Sequence, residues 1–172
     1  MKKDMAKRIS IGALSIALVC IGTMVIQIPI PLGYAHLGNA VILLVSVFFG
    51  PMAGTLAGGI GSALADLLTG FVQWVPTTLL TKSVMGLVIG LFAAQKGEAR
   101  MKAPRTFGAS VAGIVVMVLG YFAGGAILAG SVAAGAAQIP GLTMEGVFGI
   151  VLFYAVGFLF EKAHVARIVR EM

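Results

Sequence analysis

Residues 54–90 read GTLAGGIGSALADLLTGFVQWVPTTLLTKSVMGLVIG, and this stretch decides the fold. It is almost wholly apolar, yet it contains Asp66 and Lys82 on either side of a short break at residues 69–76. A glycine and a proline in the break suit a turn, so the stretch predicts a hairpin of two membrane helices. At about 1.5 Å of rise per residue, both charges would lie within ~10 Å of one membrane face. Ionisable groups inside a membrane are costly and usually face a bundle interior, so we expect this hairpin to form one wall of a binding site.

The composition is that of an integral membrane protein. Of the 172 residues, 59% are hydrophobic and 10% are charged, and the mean hydropathy is +1.06. Several uncharged runs reach the ~20 residues needed to cross a hydrocarbon core of about 30 Å. The single cysteine, Cys20, lies inside an apolar run, which argues against a disulfide framework and a metal cluster. We therefore expect a membrane protein that needs no metal and no cofactor.

The basic residues indicate which side of the membrane is cytoplasmic. The net charge is +6, and the twelve Lys and Arg residues cluster in residues 1–8, residues 95–105 and the C-terminal tail, with only Lys82 left over. Basic clusters beside apolar spans follow the positive-inside rule. The positive charge is thus explained by topology and lipid contact, and we expect no nucleic-acid partner.

The apolar pattern predicts an all-α bundle of six transmembrane helices in a single domain covering residues 1–172, with both termini cytoplasmic. The first span is long and lacks a small-residue cleavage site, which argues against a signal peptide. Residues 29–38 hold two prolines and two glycines, so we expect an outer loop there. The spans are placed at about 9–28, 37–49, 52–68, 75–94, 106–127 and 143–160.

The sequence favours binding over catalysis. It contains no Ser/His/Asp grouping at a usable spacing, no zinc-protease motif and no phosphate-binding loop, so we do not expect an enzyme. Ligand pockets are mostly apolar with a few placed polar groups and aromatic faces. The polar and aromatic side chains predicted near the outer half of the bundle are Tyr34, His36, Asn39, Asp66, Gln73, Trp74, Thr77, Thr78, Lys82, Tyr121, Gln138 and Glu145.

Structural roles compete with ligand contact at several of these positions. Trp74 could stack on a flat ring or anchor a helix at the lipid headgroups. Lys82 could pair with Asp66 in a structural salt bridge, which the cost of an unpaired charge slightly favours, or bind a ligand. Glu145 could instead complement the positive end of the last span, which Thr143 would cap. The adjacent hairpin threonines could bond back to their own helix.

Three segments together resemble a known family. They are IPIPLGYAHLGNAVILL (28–44), FFGPMAGTLAGGIGSALADLLTG (48–70) and WVPTTLLTKSVMGLVIG (74–90). These segments are similar to the substrate-binding S components of energy-coupling-factor (ECF) transporters, in the riboflavin- or vitamin-type subgroup. The resemblance is strong over residues 9–94, and over residues 106–172 it rests on the pattern of spans.

The resemblance implies a six-helix subunit of the bacterial cytoplasmic membrane that binds a water-soluble vitamin or precursor near the outer face. Pyridoxine- or hydroxymethylpyrimidine-like compounds are the first expectation for the cargo, followed by pantothenate or riboflavin. The implied partners are a transmembrane T component and two cytoplasmic ATPases, against which the subunit topples to release its cargo. An A-x-x-x-A motif on the first helix contacts the T component in this family, and Ala13 and Ala17 match it. The loop at 29–38 corresponds to the family's lid.

Two other classes of function compete with this interpretation. A stand-alone secondary transporter or small channel could use Asp66 and Lys82 as an ion or proton relay, although such transporters often show inverted repeats and none is clear here. A structural scaffold would bind no small molecule. Uptake that requires a separate ATPase favours the S component, whereas uptake that follows the proton gradient favours the relay.

Overall fold

The chain is helical apart from one β-hairpin in the residues that the computed structural model describes, which are 2–25, 27–30, 33–93 and 101–165. This agrees with the predicted helical class. In chain order the elements are α1 (Lys2–Met24), β1 (Gln27–Ile30), β2 (Gly33–His36), α2 (Gly38–Phe49), α3 (Pro51–Leu56), a π-helical turn (Ala57–Gly61), α4 (Ser62–Thr69), a short 3-10 turn (Val72–Trp74), α5 (Val75–Ala93), α6 (Pro104–Ala129), α7 (Val132–Ala137) and α8 (Ile139–Lys162).

Within the described residues, four helical stretches are long and apolar enough to cross a membrane. They are Met5–Met24, Val72–Ala93, Pro104–Ala129 and Val132–Lys162. The helix Gly38–Phe49 is apolar but shorter, and the helical run from α3 to α4 is interrupted by the π-helical turn. The structure therefore supports a multi-pass membrane protein, and the count of six spans stays a prediction.

The first predicted span ends earlier than expected. Helix α1 stops at Met24, so residues 27 and 28, which were predicted to lie in the span, belong to strand β1. The proline at position 29 disfavours helical geometry in the residue before it. The predicted outer loop is an antiparallel hairpin in which Gln27 lies opposite His36, so its backbone polar groups are partly paired.

The predicted break between Asp66 and Lys82 is present. Helix α4 ends at Thr69, and Gly70 adopts a left-handed conformation with φ of 87°, which glycine accepts without steric cost. The backbone N–H of Phe71 donates to the Asp66 carbonyl at 2.8 Å. The second residue of α5 is Pro76, so this proline lies in the first helical turn, where its missing N–H leaves no bond unmade.

The last helix begins earlier than predicted. Helix α8 starts at Ile139 rather than at residue 143, with Pro140 in its first turn, where proline is well tolerated. The Thr143 hydroxyl donates to the Ile139 carbonyl at 2.8 Å, so Thr143 lies inside the helix and does not cap it. Glu145 consequently lies in the second turn of α8, further from the helix end than predicted. The residues between the fifth and sixth predicted spans contain α7.

The short helix α2 is the centre of the bundle. It packs against α1, α3, α5 and α8, and nine of its twelve residues are buried. Twelve residues span about 18 Å, which is less than a hydrocarbon core. Its fully buried Ile42 and Leu43 meet Met85 of α5 and Phe153 of α8 in the apolar core. The first turn of α2 therefore places Asn39 inside the protein.

Helix α3 and the π-helical turn after it touch α5 backbone to backbone. A Cβ added to Gly86 would lie 2.2 Å from the Gly54 carbonyl oxygen, and one added to Gly58 would lie 2.7 Å from the Lys82 carbonyl oxygen. Such small-residue seams let membrane helices approach closely. Gly54, Gly58 and Gly86 therefore line a packing seam, which holds the backbone of α5 where Lys82 projects.

Candidate ligand-binding site

Lys82 is wholly buried and lies at the centre of a polar cluster. Its Nζ donates to Asn39 Oδ1 at 2.5 Å and to Met117 Sδ at 3.2 Å. The same nitrogen lies 3.8 Å from Glu145 Oε1 and 5.3 Å from the centroid of the Tyr121 ring. A buried ammonium is tolerated only with partners of this kind, because its desolvation is costly.

Asn39 connects the helices that form the cluster. Its Nδ2 donates to Glu145 Oε1 at 2.6 Å and to Met117 Sδ at 3.1 Å, while its Oδ1 accepts from Lys82. Because the ammonium can only donate and the carboxylate accepts, this arrangement fixes the orientation of the amide. A Cβ on Gly149 would lie 2.9 Å from Asn39 Cβ, so α8 approaches α2 closely at this point.

His36 ties the β-hairpin to α8. Its Nε2 lies 3.4 Å from Glu145 Oε1, and its Nδ1 accepts a hydrogen bond from the Gly38 N–H at 3.0 Å. Since Nδ1 is the acceptor, Nε2 carries the proton and faces the carboxylate. Burial, and after it the positive charge of Lys82, holds the pKa of His36 well below its usual range. The neutral imidazole thus closes one side of the cluster.

Asp66 joins the same interior region from α4. Its side chain is buried, and it interacts electrostatically with Lys82 and with Glu145. The three charges singled out in the sequence therefore lie together inside the protein. Asp66 acts on Lys82 through its charge, and the Lys82 amine has its close contacts with Asn39 and Glu145, so the Lys82–Asp66 pair weighed above does not account for the site by itself.

An aromatic wall borders the cluster. The rings of Trp74 and Tyr121 lie 5.7 Å apart at an angle of 52°, and Trp74 is 8% exposed. The hydroxyl groups of Tyr121 and Thr78 lie 2.9 Å apart. Trp74 is thus packed inside the bundle rather than projecting as an interfacial anchor does. Through Tyr121 the aromatic wall reaches the amine of Lys82.

Gln138 lies at the Trp74 end of this wall. Its side chain is 2% exposed, and within the described part of the chain its Nε2 has no hydrogen-bond partner. A Cβ added to Gly125 would lie 1.8 Å from that nitrogen and 3.4 Å from Trp74 Cη2, so the amide fills a notch left by the glycine. Buried donors are nearly always satisfied by protein, water or ligand, and this one is available to a ligand.

Two of the predicted site residues, Gln73 and Thr77, do not belong to the contacts described around Lys82. Gln73 is exposed. Thr77 packs in the seam between α5 and α6, where a Cβ on Gly124 would lie 2.3 Å from its Cγ2. The side chain of Tyr34 lies outside the described residues.

Met117 belongs to the cluster but was not predicted. A methionine in an apolar helix is usually interpreted as core filling, and nothing in its chemistry marks it as polar. A usable signal was its position four residues before Tyr121, because residues so spaced share a helix face. The prediction of Tyr121 as a site residue therefore also indicated Met117.

The exposed surface of α1 contrasts with this interior. Ala13 and Ala17 are both exposed and share one helix face with the exposed Leu14 and Leu18. A Cβ added to the nearby Gly12 would meet nothing within 4 Å. Neither residue is covered by another described helix, which argues against packing inside this bundle as the role of the alanine pair.

Comparison with known proteins decides the family. The family model described as "ECF-type riboflavin transporter, S component" matches residues 3–161. The chain belongs to this family. It is a family of transporter subunits rather than of enzymes, and the resemblance noted from the three sequence segments is confirmed.

Individual relatives cover the chain to different extents. The chain is 38% identical over 146 residues to an "Uncharacterized protein in gap 3'region" of Pyrococcus woesei, which covers 84% of this chain and 95% of that protein. It is also 38% identical over 84 residues to UPF0397 proteins of Streptococcus pneumoniae strains Hungary19A-6 and CGSP14, covering 49% of this chain and 46% of each relative. The shorter match spans less than half of those relatives.

Proposed function

We propose that this protein is the membrane-embedded, high-affinity substrate-binding subunit of an ECF-type importer for a water-soluble vitamin or vitamin precursor. The observation that carries the proposal is the buried network of Lys82, Asn39 and Glu145, contributed by three different helices. Ionisable groups at such positions are expensive and usually functional. Family membership supports the transporter class, and the network supports a polar ligand.

The proposed ligand is a flat ring with polar edges. Trp74 and Tyr121 offer aromatic faces, Lys82 and Glu145 offer polar contacts, and Gln138 offers a buried donor at the far end. Pyridoxine- or hydroxymethylpyrimidine-like compounds fit this description first and riboflavin next; pantothenate, the remaining candidate, has no ring and would use the polar contacts alone. Asp66 would tune the charge of the site, and His36 would close the hairpin over it, as would Tyr34 from the same strand.

The proposed topology has six spans formed by α1, α2, the α3–α4 run, α5, α6 and α8. Both termini and the basic connector at 95–105 would lie on the cytoplasmic side of a bacterial plasma membrane, and the β-hairpin on the outer side. The distribution of basic residues supports this orientation. Labelling of single cysteines introduced at residue 97 and in the hairpin, with a membrane-impermeant reagent on intact cells, tests it: only the hairpin cysteine should react.

The proposed partners are a transmembrane T component and two cytoplasmic ATPases. The sequence contains no phosphate-binding loop, so the energy for transport would come from these subunits. The exposed small-residue face around Ala13 and Ala17 would dock on the T component, and toppling of the bundle would then deliver the cargo inward.

Uptake measurements test the proposal directly. Radiolabelled pyridoxine, pantothenate and riboflavin are offered to cells that express the protein, with and without deletion of the ATPase genes and with and without a protonophore. The proposal expects uptake of one compound that disappears with the ATPases. Uptake that survives the deletion but collapses with the proton gradient would instead establish the relay through Asp66 and Lys82.

A further inference from the structure

The sulfur of Met117 occupies an unusual position between two strong donors. Met117 is fully buried on α6, and its Sδ accepts from Lys82 Nζ at 3.2 Å and from Asn39 Nδ2 at 3.1 Å. A thioether is a weak acceptor, whereas an ammonium and a primary amide are strong donors. Two strong donors that converge on one sulfur form a site suited to a better acceptor.

The other contacts of Lys82 leave room for such an acceptor. One N–H of the ammonium is used well, by Asn39 Oδ1 at 2.5 Å. The distance of 3.8 Å to Glu145 Oε1 is that of an ion pair rather than of a hydrogen bond. The donor directed at Met117 is therefore the one that gains most from replacement of its partner, because a poorly satisfied buried donor is costly.

We propose that the Met117 thioether holds the place of a ligand oxygen, which displaces it and accepts from both Lys82 and Asn39 when the ligand binds. This inference rests on the proposed function and specifies one contact of it. Methionine is suited to the exchange, because its unbranched side chain has three rotatable bonds and fills irregular gaps. The displaced side chain can then repack against the ring of the ligand.

The charged residues around Met117 favour an uncharged ligand oxygen over a carboxylate. Glu145 already neutralises Lys82, and Asp66 adds a further negative charge that acts on both. A ligand carboxylate would bring one more negative charge into a buried region without a matching cation, which is costly. A carbonyl or hydroxyl oxygen attached to a neutral ring meets the same two donors without this cost, so Lys82 acts here as a hydrogen-bond donor rather than as an anion receptor.

The test compares two buried methionines in the full-length protein. Met117→Leu keeps the volume but removes the acceptor, whereas Met101→Leu makes the same change at a buried methionine that packs against Gly157, near the other end of α8. Binding of pyridoxine, riboflavin, hydroxymethylpyrimidine and pantothenate is measured by calorimetry in lipid nanodiscs, together with thermal unfolding of each variant without ligand.

We expect Met117→Leu to unfold at a lower temperature than Met101→Leu and to bind an uncharged probe roughly tenfold more tightly than the wild type, since two N–H···S bonds no longer have to be broken. Met101→Leu should bind like the wild type. Equal or weaker binding by Met117→Leu overturns this inference but leaves the proposed function standing, as does a wild-type protein that binds pantothenate alone. If the wild type binds none of the four probes, the proposed function fails and this inference fails with it.

Discussion

Helices α1 and α2 are neighbours that pack against each other, yet they differ in how much of their surface is buried. Helix α1 turns Ala13 and Ala17 outward. Helix α2 is shorter than a hydrocarbon core is thick and is buried over most of its length, with Asn39 in the middle of a polar network. Helix α1 thus presents an exposed face, whereas α2 forms part of the buried interior.

This difference in burial separates residues that line an interior site from residues that face outward, which the sequence alone does not distinguish. Polar residues in an apolar chain indicate a site only where other helices cover them, as at Asn39. Small residues indicate helix packing only where another backbone lies against them, as at Gly86 and Gly54. On α1 the small residues Ala13 and Ala17 are exposed, as the proposed docking on a partner requires.

The largest loss of stability is expected from removing the charge of Lys82 at the centre of the buried network. Lys82→Met should cost about 3–5 kcal/mol in the free energy of unfolding, because it leaves the buried Glu145 carboxylate without its cation. The double variant Lys82→Met/Glu145→Gln should recover part of that loss. Thermal unfolding in detergent measures both, and wild-type stability together with wild-type ligand affinity in Lys82→Met would show that the network has no role.

A pair of glycine substitutions tests the contrast in packing. Gly86→Ala should cost about 1–3 kcal/mol, since the new Cβ would lie 2.2 Å from the Gly54 carbonyl oxygen and the helices must separate. Gly12→Ala on α1 has open space around it and should be neutral or stabilising by up to ~1 kcal/mol. Similar losses in both variants would mean that α1 is packed as tightly as α5.

A smaller effect is expected where the aromatic wall meets the interior. Tyr121→Phe removes only the hydroxyl that lies 2.9 Å from the Thr78 hydroxyl, so it should cost about 1 kcal/mol. Thr78→Val removes the other partner, and the two changes together should cost less than their sum. Additive losses in a double-mutant cycle would exclude this hydrogen bond as a stabilising contact.

The smallest change in stability is expected on the exposed face of α1. Ala13→Leu should alter the free energy of unfolding by no more than about 0.5 kcal/mol and should leave ligand affinity unchanged, but it should stop uptake because it blocks docking on the T component. Ala155→Leu, at an exposed position of α8, is the matched control and should transport normally. Normal uptake by Ala13→Leu would remove the docking role from this face.

The sequence predicted the helical class and the break around Gly70. It also predicted that Asp66, Lys82 and Glu145 lie inside the protein, because ionisable side chains within a membrane are too costly to face lipid. The helix ends were less accurate. The strand at residues 27–30 was missed because helix or strand periodicity does not show over four residues.

The contacts within the site were harder to predict than its location. The sequence places Asn39, Glu145 and Met117 far apart, so only tertiary packing shows that they meet at the Lys82 amine. Gln73 and Thr77 belong to the same polar stretch as Trp74, but helix geometry turns them to other faces. The sequence shows which polar residues the chain contains, whereas the rotation of each helix about its axis decides which of them face the same site.

Native mass spectrometry of the full-length protein, purified without added vitamins, tests the central claim most directly. The account predicts that the wild type and Ala13→Leu both carry one small molecule of vitamin size, and that Lys82→Met/Glu145→Gln, which leaves the net buried charge unchanged, has lost it. A wild-type protein that carries lipid alone, or a double variant that retains the molecule as fully as the wild type, would contradict it.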